Sequence, residues 1–108
     1  MRYHHIGIPT STPKPGESHI PHLKIHATDH ESNPFGIQWM RYDPDCGLPD
    51  LVKELPHVAF EVDDLEAAIA DETVIIEPNS PSPGVMVAFI LIDGAPVELL
   101  QIDASWSR

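Results

Sequence analysis

Two histidines open short apolar runs that read alike. His5-Ile6-Gly7-Ile8 and His57-Val58-Ala59-Phe60 each place an apolar, a small and another apolar residue after the histidine. Later in each half, a strand-like stretch carries a polar residue where an apolar one would be easier to bury: Gln38 within 35–42 and Glu98 within 95–102. Glu98 is the more telling, because it interrupts Pro96-Val97 and Leu99-Leu100, and an unpaired buried carboxylate is costly. Imidazole, carboxylate and amide oxygen make a borderline-hard donor set. It suits Zn, Ni, Co, Mn or Fe(II) and does not suit copper(I) or an iron–sulfur cluster.

The elements that must position these residues follow from the pattern. Residues 3–8 alternate as a short strand, with Tyr3, His5 and Gly7 on one side and His4, Ile6 and Ile8 on the other. Prolines make 9–21 loop material. A second strand is expected at 22–28, with Leu23, Ile25 and Ala27 on one face, and a third at 35–42, with Gln38, Met40 and Tyr42 sharing a face. A connector with a helical turn at 48–54 leads to a strand at 57–62. Asp63 or Asp64 then caps a short amphipathic helix over 64–71. Strands are expected at 73–77, 85–92 and 95–102. The last two are joined by the hairpin signal Asp93-Gly94, and 79–84 is read as a loop. Trp106, in the tail, is a candidate to pack on the domain or on a second subunit.

The 108 residues suffice for one domain with a core and are too few for two. A net charge of −11 argues against nucleic acid or an anionic membrane as partner. The single Cys46 cannot form an internal disulfide and suits a reducing compartment. Neither a signal peptide nor a membrane span is apparent, so a cytoplasmic location is expected. Four of the seven histidines, His19, His22, His26 and His30, fall three or four apart. Pro21 and the β-branched Ile25 and Thr28 argue against one helical histidine face, and the segment reads as loop then strand.

Three motifs together resemble the vicinal oxygen chelate superfamily of glyoxalase I, methylmalonyl-CoA epimerase and extradiol dioxygenases. They are His4-His5-Ile6-Gly7-Ile8, the run from His57 through Asp63-Asp64-Leu65 to Ala68, and Ile92-Asp93-Gly94-Ala95-Pro96-Val97-Glu98-Leu99-Leu100-Gln101. The resemblance implies an α+β fold of two βαβββ modules forming a curved open sheet within a single domain, 1–108. Module one would span about 1–45, shortened with its helix largely lost, and module two about 55–103. It implies His5, Gln38, His57 and Glu98 as ligands of a divalent metal, and a homodimer. Chemistry of this class removes a proton beside a carbonyl while the metal stabilises the developing enolate. Glu98, and Glu61 on the His57 face of its strand, are the candidate catalytic carboxylates. The expected function is a metal-dependent lyase or isomerase acting on a small oxygen-chelating substrate. The alternative is a non-catalytic, bleomycin-resistance-like binding module of the same fold. Extradiol dioxygenase chemistry, using two histidines and one glutamate, is a third reading.

Overall fold

The computed structural model describes residues 1–103, so Trp106 lies outside the described residues. It is a mixed α+β chain whose eight strands form one strongly curled, open sheet. In chain order these are β1 (Arg2–Pro9), β2 (Ser18–Ile20), β3 (Ile25–Ala27), β4 (Ile37–Tyr42), β5 (His57–Glu61), β6 (Val74–Ser82), β7 (Val85–Ile92) and β8 (Ala95–Ile102). Two five-residue helices accompany them, α1 (Asp50–Glu54) and α2 (Leu65–Ile69), and a single 3-10 turn spans His30–Ser32. Among the described residues no helix is long and apolar enough to cross a membrane.

Strand order across the sheet is β2-β3-β4-β1-β5-β8-β7-β6. The centre is the antiparallel pair β1–β5; on either side a parallel partner follows, β4 beside β1 and β8 beside β5, and antiparallel strands complete each wing. The two outer strands curl toward one another until His22 Nε2 comes within 3.3 Å of the Ser80 carbonyl oxygen. Period-2 alternation sorts β7 and β8 onto two faces. Val62, Leu65, Ala88, Ile90 and Leu99 form a core under α2. Ala59, Val87 and Leu100 face the hollow of the curl. Asp64 caps α2 by accepting from the Ala67 N–H, which satisfies a donor left over at a helix start. Asp93 and Gly94 both adopt positive φ, 49° and 84°, the geometry that a two-residue hairpin demands of its turn.

Several expected elements differ. The expected strand at 22–28 is the hairpin β2–β3 with a turn at 21–24, because Lys24 takes positive φ (59°) and the chain reverses there. The stretch 79–84, expected as a loop, belongs mostly to β6, which runs through Pro78 and Pro81 to Ser82. Proline is tolerated there because β6 is an edge strand whose outer N–H positions owe nothing to a neighbour. Register shifts along the β6–β7 pairing absorb the irregularity.

Candidate metal centre

A β-bulge shapes the site. Tyr3 pairs with Phe60 and His5 with Ala59, so β1 has one more residue than β5 at that step, and the extra residue is His4. The bulge breaks the expected alternation of β1. Tyr3 is on the other face, edge-on to Phe60 with ring centroids 6.1 Å apart. His4, expected opposite His5, lines the same cavity.

Beyond the bulge, two rows of residues cross the middle of the sheet. One runs Gln38, Gly7, His57 over β4, β1 and β5. The other runs His5, Ala59, Glu98 over β1, β5 and β8. Each row has a small residue at its centre. At Gly7 the reason is direct: a Cβ there would fall 2.5 Å from His57 Nε2 and 2.9 Å from Nδ1, inside any real contact. The imidazole of His57 lies on bare backbone, and the edge-to-face ring of Phe89 holds its other side at a centroid distance of 4.9 Å.

His5, His57 and Glu98 are all buried, at 5%, 1% and 8% exposure, and each offers a ligand atom within 4.8 Å of the others. His5 Nε2 is 3.2 Å and His57 Nε2 is 3.0 Å from Glu98 Oε1. Neither nitrogen is aligned for a hydrogen bond, and both remain without a hydrogen-bond partner. Ligand atoms sharing one ion at bonds of about 2.0–2.1 Å lie about 2.9–3.4 Å apart for angles between octahedral and tetrahedral. Both observed separations fall in that window, and the unpaired nitrogens converge on the same carboxylate oxygen. This buried group could therefore hold a divalent metal ion.

Electrostatics agree with a ligand role. Burial is the largest single influence on the Glu98 carboxyl and raises it, but the contacts with His5 and His57 together outweigh it and hold the group down to about 2. Glu98 is thus a carboxylate throughout the neutral range. The other side of His5 is engaged too, its Nδ1 lying 2.7 Å from His4 Nδ1. One of the two must donate. Burial, with the neighbouring His30 and His5 imidazoles, pushes His4 below the ordinary imidazole range, so a neutral His4 can accept the His5 Nδ1–H and leave the His5 Nε2 lone pair free for a cation. Outer partners of this kind orient metal-ligating imidazoles. His57 has no equivalent, since its Nδ1 also lacks a partner, and packing alone fixes its ring.

The remaining candidates are placed less centrally. Gln38 lines the cavity, but its Nε2 donates to the Thr28 carbonyl at 3.0 Å, so only its amide oxygen is left to face an ion. Glu61 is not among the cavity residues. It ends β5 and pairs with Arg2 at 3.0 Å, which removes it from the position of a general base at the cavity. Met40, Tyr42 and Phe89 line the pocket, whereas Trp39 is on the opposite face of β4 beneath the Lys14 ammonium, 4.5 Å from the ring centroid. Sequence reasoning gave no site role to His30, whose ring lies 4.3 Å from that of His4, tilted by 36°, and which borders the cavity. A run of histidines three or four apart was the available signal.

The cavity itself has a volume of about 470 Å³. Ile25, Met40, Val87, Phe89 and Leu100 give it apolar walls, with the His5–His57–Glu98 group on one of them. Among the described residues no lysine or arginine lines it. The Tyr42 hydroxyl is buried without a partner, and burial pushes its phenol up, so it stays protonated and able to donate. No protein-family model matches the chain, and no curated protein matches it.

Proposed function

We propose that this chain is a glyoxalase-like member of the vicinal oxygen chelate superfamily, a metal-dependent lyase or isomerase acting on a small, neutral, oxygen-chelating substrate. On this reading the curled sheet is two βαβββ modules meeting at the β1–β5 pair, the first of which has exchanged its helix for the loop between β1 and β2. Support comes from the strand order on either side of that pair. The observation that carries the functional reading is the pair of buried, unpaired imidazole nitrogens facing Glu98 on the wall of an apolar cavity. A hydrogen bond left unmade in the interior costs roughly 1–3 kcal/mol, and a shared ion would satisfy both nitrogens and the carboxylate at once.

His5, His57 and Glu98 would hold the ion, with the Gln38 amide oxygen as a fourth donor. A divalent metal in that position supplies Lewis acidity to a carbonyl oxygen. The protein's own contribution is to orient and to exclude water. The apolar walls take the body of the substrate, and the Tyr42 hydroxyl donates to an oxygen or nitrogen on it. A cavity without lysine or arginine in a chain of net charge −11 disfavours anionic substrates. An aryl or branched alkyl α-hydroxyketone has the required features: two neighbouring oxygens, an apolar body and no charge.

A second reading, a bleomycin-resistance-like binding module, is favoured by one specific observation. Among the described residues the carboxylates bordering the cavity are Glu31 and Glu98, and Glu98 is engaged by both imidazoles, which leaves no carboxylate free on the inner wall to act as a base. The same superfamily reading makes the protein a homodimer.

One experiment separates these readings. Protein without a histidine tag is loaded with Zn(II), Ni(II), Co(II) or Mn(II) and mixed with α-hydroxyacetophenone in deuterium oxide, and the carbon-bound proton beside the carbonyl is followed by NMR. Metal-dependent exchange in the wild type and none in Glu98→Gln supports the enzyme. Saturable binding without exchange supports the binding module. Absence of binding under every metal rejects both.

A further inference from the structure

The opposite face of the sheet carries another group of two imidazoles and a carboxylate, built differently. His19 and His26 are direct cross-strand partners in the β2–β3 hairpin. Their rings stack with centroids 4.3 Å apart and planes 7° from parallel. Side chains opposite one another on antiparallel strands have Cβ atoms about 4.5–5.5 Å apart, and their ligand atoms lie within 4.8 Å of one another and of Asp43, so turning one ring out of the stack lets both imidazoles reach one small ion. His26 points away from Ile25 and Ala27, which line the cavity, so this group belongs to the convex side.

The third member is Asp43, which follows β4. Its Oδ1 is 3.0 Å from His26 Nε2 and its Oδ2 is 3.6 Å from His19 Nε2. These two separations bracket the value of about 3.3 Å for two ligands in a tetrahedral shell with bonds of about 2.0–2.1 Å. Only one of the two contacts is a hydrogen bond: His26 Nε2 reaches Asp43 at 3.0 Å, whereas 3.6 Å is too long for His19 to do so. A divalent ion would join both. The surrounding charges leave Asp43 for this role. Arg41 is paired with Glu17 and Lys24 with Asp45.

We propose that His19, His26 and Asp43 form a second metal site on the convex face, selective for a borderline divalent transition metal such as Zn(II), Co(II) or Ni(II). Two imidazoles and one carboxylate suit these ions over magnesium or calcium, which prefer all-oxygen shells. Side-chain exposures of 49%, 22% and 25% for His19, His26 and Asp43 open the site to solvent. Water completes the coordination, and the ion enters without any opening of the fold. The site is therefore weaker than the buried one and fills second.

Zn(II) titration of tag-free protein by calorimetry at neutral pH tests the assignment, with far-UV circular dichroism confirming that each variant is folded. The expected result is two steps in the wild type. His19→Ala and Asp43→Asn each weaken the second step at least about tenfold and leave the first within about twofold. His57→Ala keeps the second step. His22→Ala is the control: it removes a neighbouring histidine whose ring is directed to the Ser80 carbonyl, and leaves both steps unchanged. The proposal is overturned if His57→Ala protein, with the inner group disabled, shows no Zn(II) step, if the outer step survives in both His19→Ala and Asp43→Asn, or if His22→Ala weakens it equally.

Discussion

The two imidazole–imidazole–carboxylate groups use the same residue types and differ in what the fold does with them. In the inner group the histidines are 5% and 1% exposed, and their Nε2 atoms approach one carboxylate oxygen with no hydrogen bond formed. In the outer group His26 and Asp43 are hydrogen-bonded and water reaches all three side chains. An unpaired polar atom in the interior is a standing cost of about 1–3 kcal/mol, whereas the outer arrangement is inexpensive with or without an ion. The contrast teaches where to look for function: the inner group is buried, leaves two imidazole nitrogens without a hydrogen bond and could hold an ion, while the outer group is satisfied in part by its own hydrogen bond and needs a binding measurement to give it a role.

The sharpest way to break the comparison is to remove a member of the inner group. His57→Ala and Glu98→Gln are expected to weaken the tighter Zn(II) step by more than about 100-fold, beyond the usual cost of losing an outer-shell partner. Competition against a chromogenic chelator reads this directly, and an unchanged affinity would make the inner group only a polar part of the core. Next comes Gly7→Ala, which replaces no ligand but crowds one. Its methyl would occupy the place of the His57 ring, so the ring must move. A loss of about 10–100-fold in the same step is expected, along with roughly 1–3 kcal/mol of stability from overpacking. A normal titration curve for this variant would show that the ring position is immaterial.

A smaller effect is expected at His4. His4→Ala removes the acceptor that fixes His5 with Nε2 facing Glu98, at a cost of about tenfold. His4→Gln, which keeps an acceptor, is expected to recover most of it. Equal losses in the two variants would point to packing in place of tautomer control.

Stability in acid separates the groups in another way. The Glu98 carboxyl is held at about 2 against an ordinary 4.5. A group with a depressed folded value contributes stability that is complete above its unfolded pKa and is lost as pH falls through the folded one. Urea midpoints of the metal-free protein should therefore drop between about pH 4.5 and 2, and Glu98→Gln should remove that part of the slope. The smallest expected effect is that of His19→Ala on metal-free stability, within about 0.5 kcal/mol, as for an exposed side chain on an edge strand.

What could be read from the sequence divides along physical lines. His5, His57 and Glu98 were legible because a polar residue within an apolar, alternating run has to be explained, and Gly7 and Ala59 marked the room they need. The Asp93-Gly94 hairpin and the Asp64 cap were legible because their chemistry is local. His4 was misplaced because a bulge is a two-strand property: its extra residue is defined only against β5, which comes some fifty positions later in the chain. β6 was cut short at Pro78 because edge position, which makes proline tolerable, is set by the whole sheet. The surroundings of Glu61 were hidden for a similar reason, since its partner Arg2 stands opposite it on a strand some sixty positions earlier in the chain. His19 and His26 could not be paired until the turn at Lys24 set the register of the hairpin.

The most direct test of the inner site is X-ray absorption at the zinc edge on His19→Ala protein carrying one equivalent of Zn(II), so that only the buried group is filled. The account predicts a first shell at about 2.0–2.2 Å with two imidazoles, shown by their outer-ring scattering, and with oxygen in the remaining positions. A first shell of oxygen alone, or with a single imidazole, would contradict it.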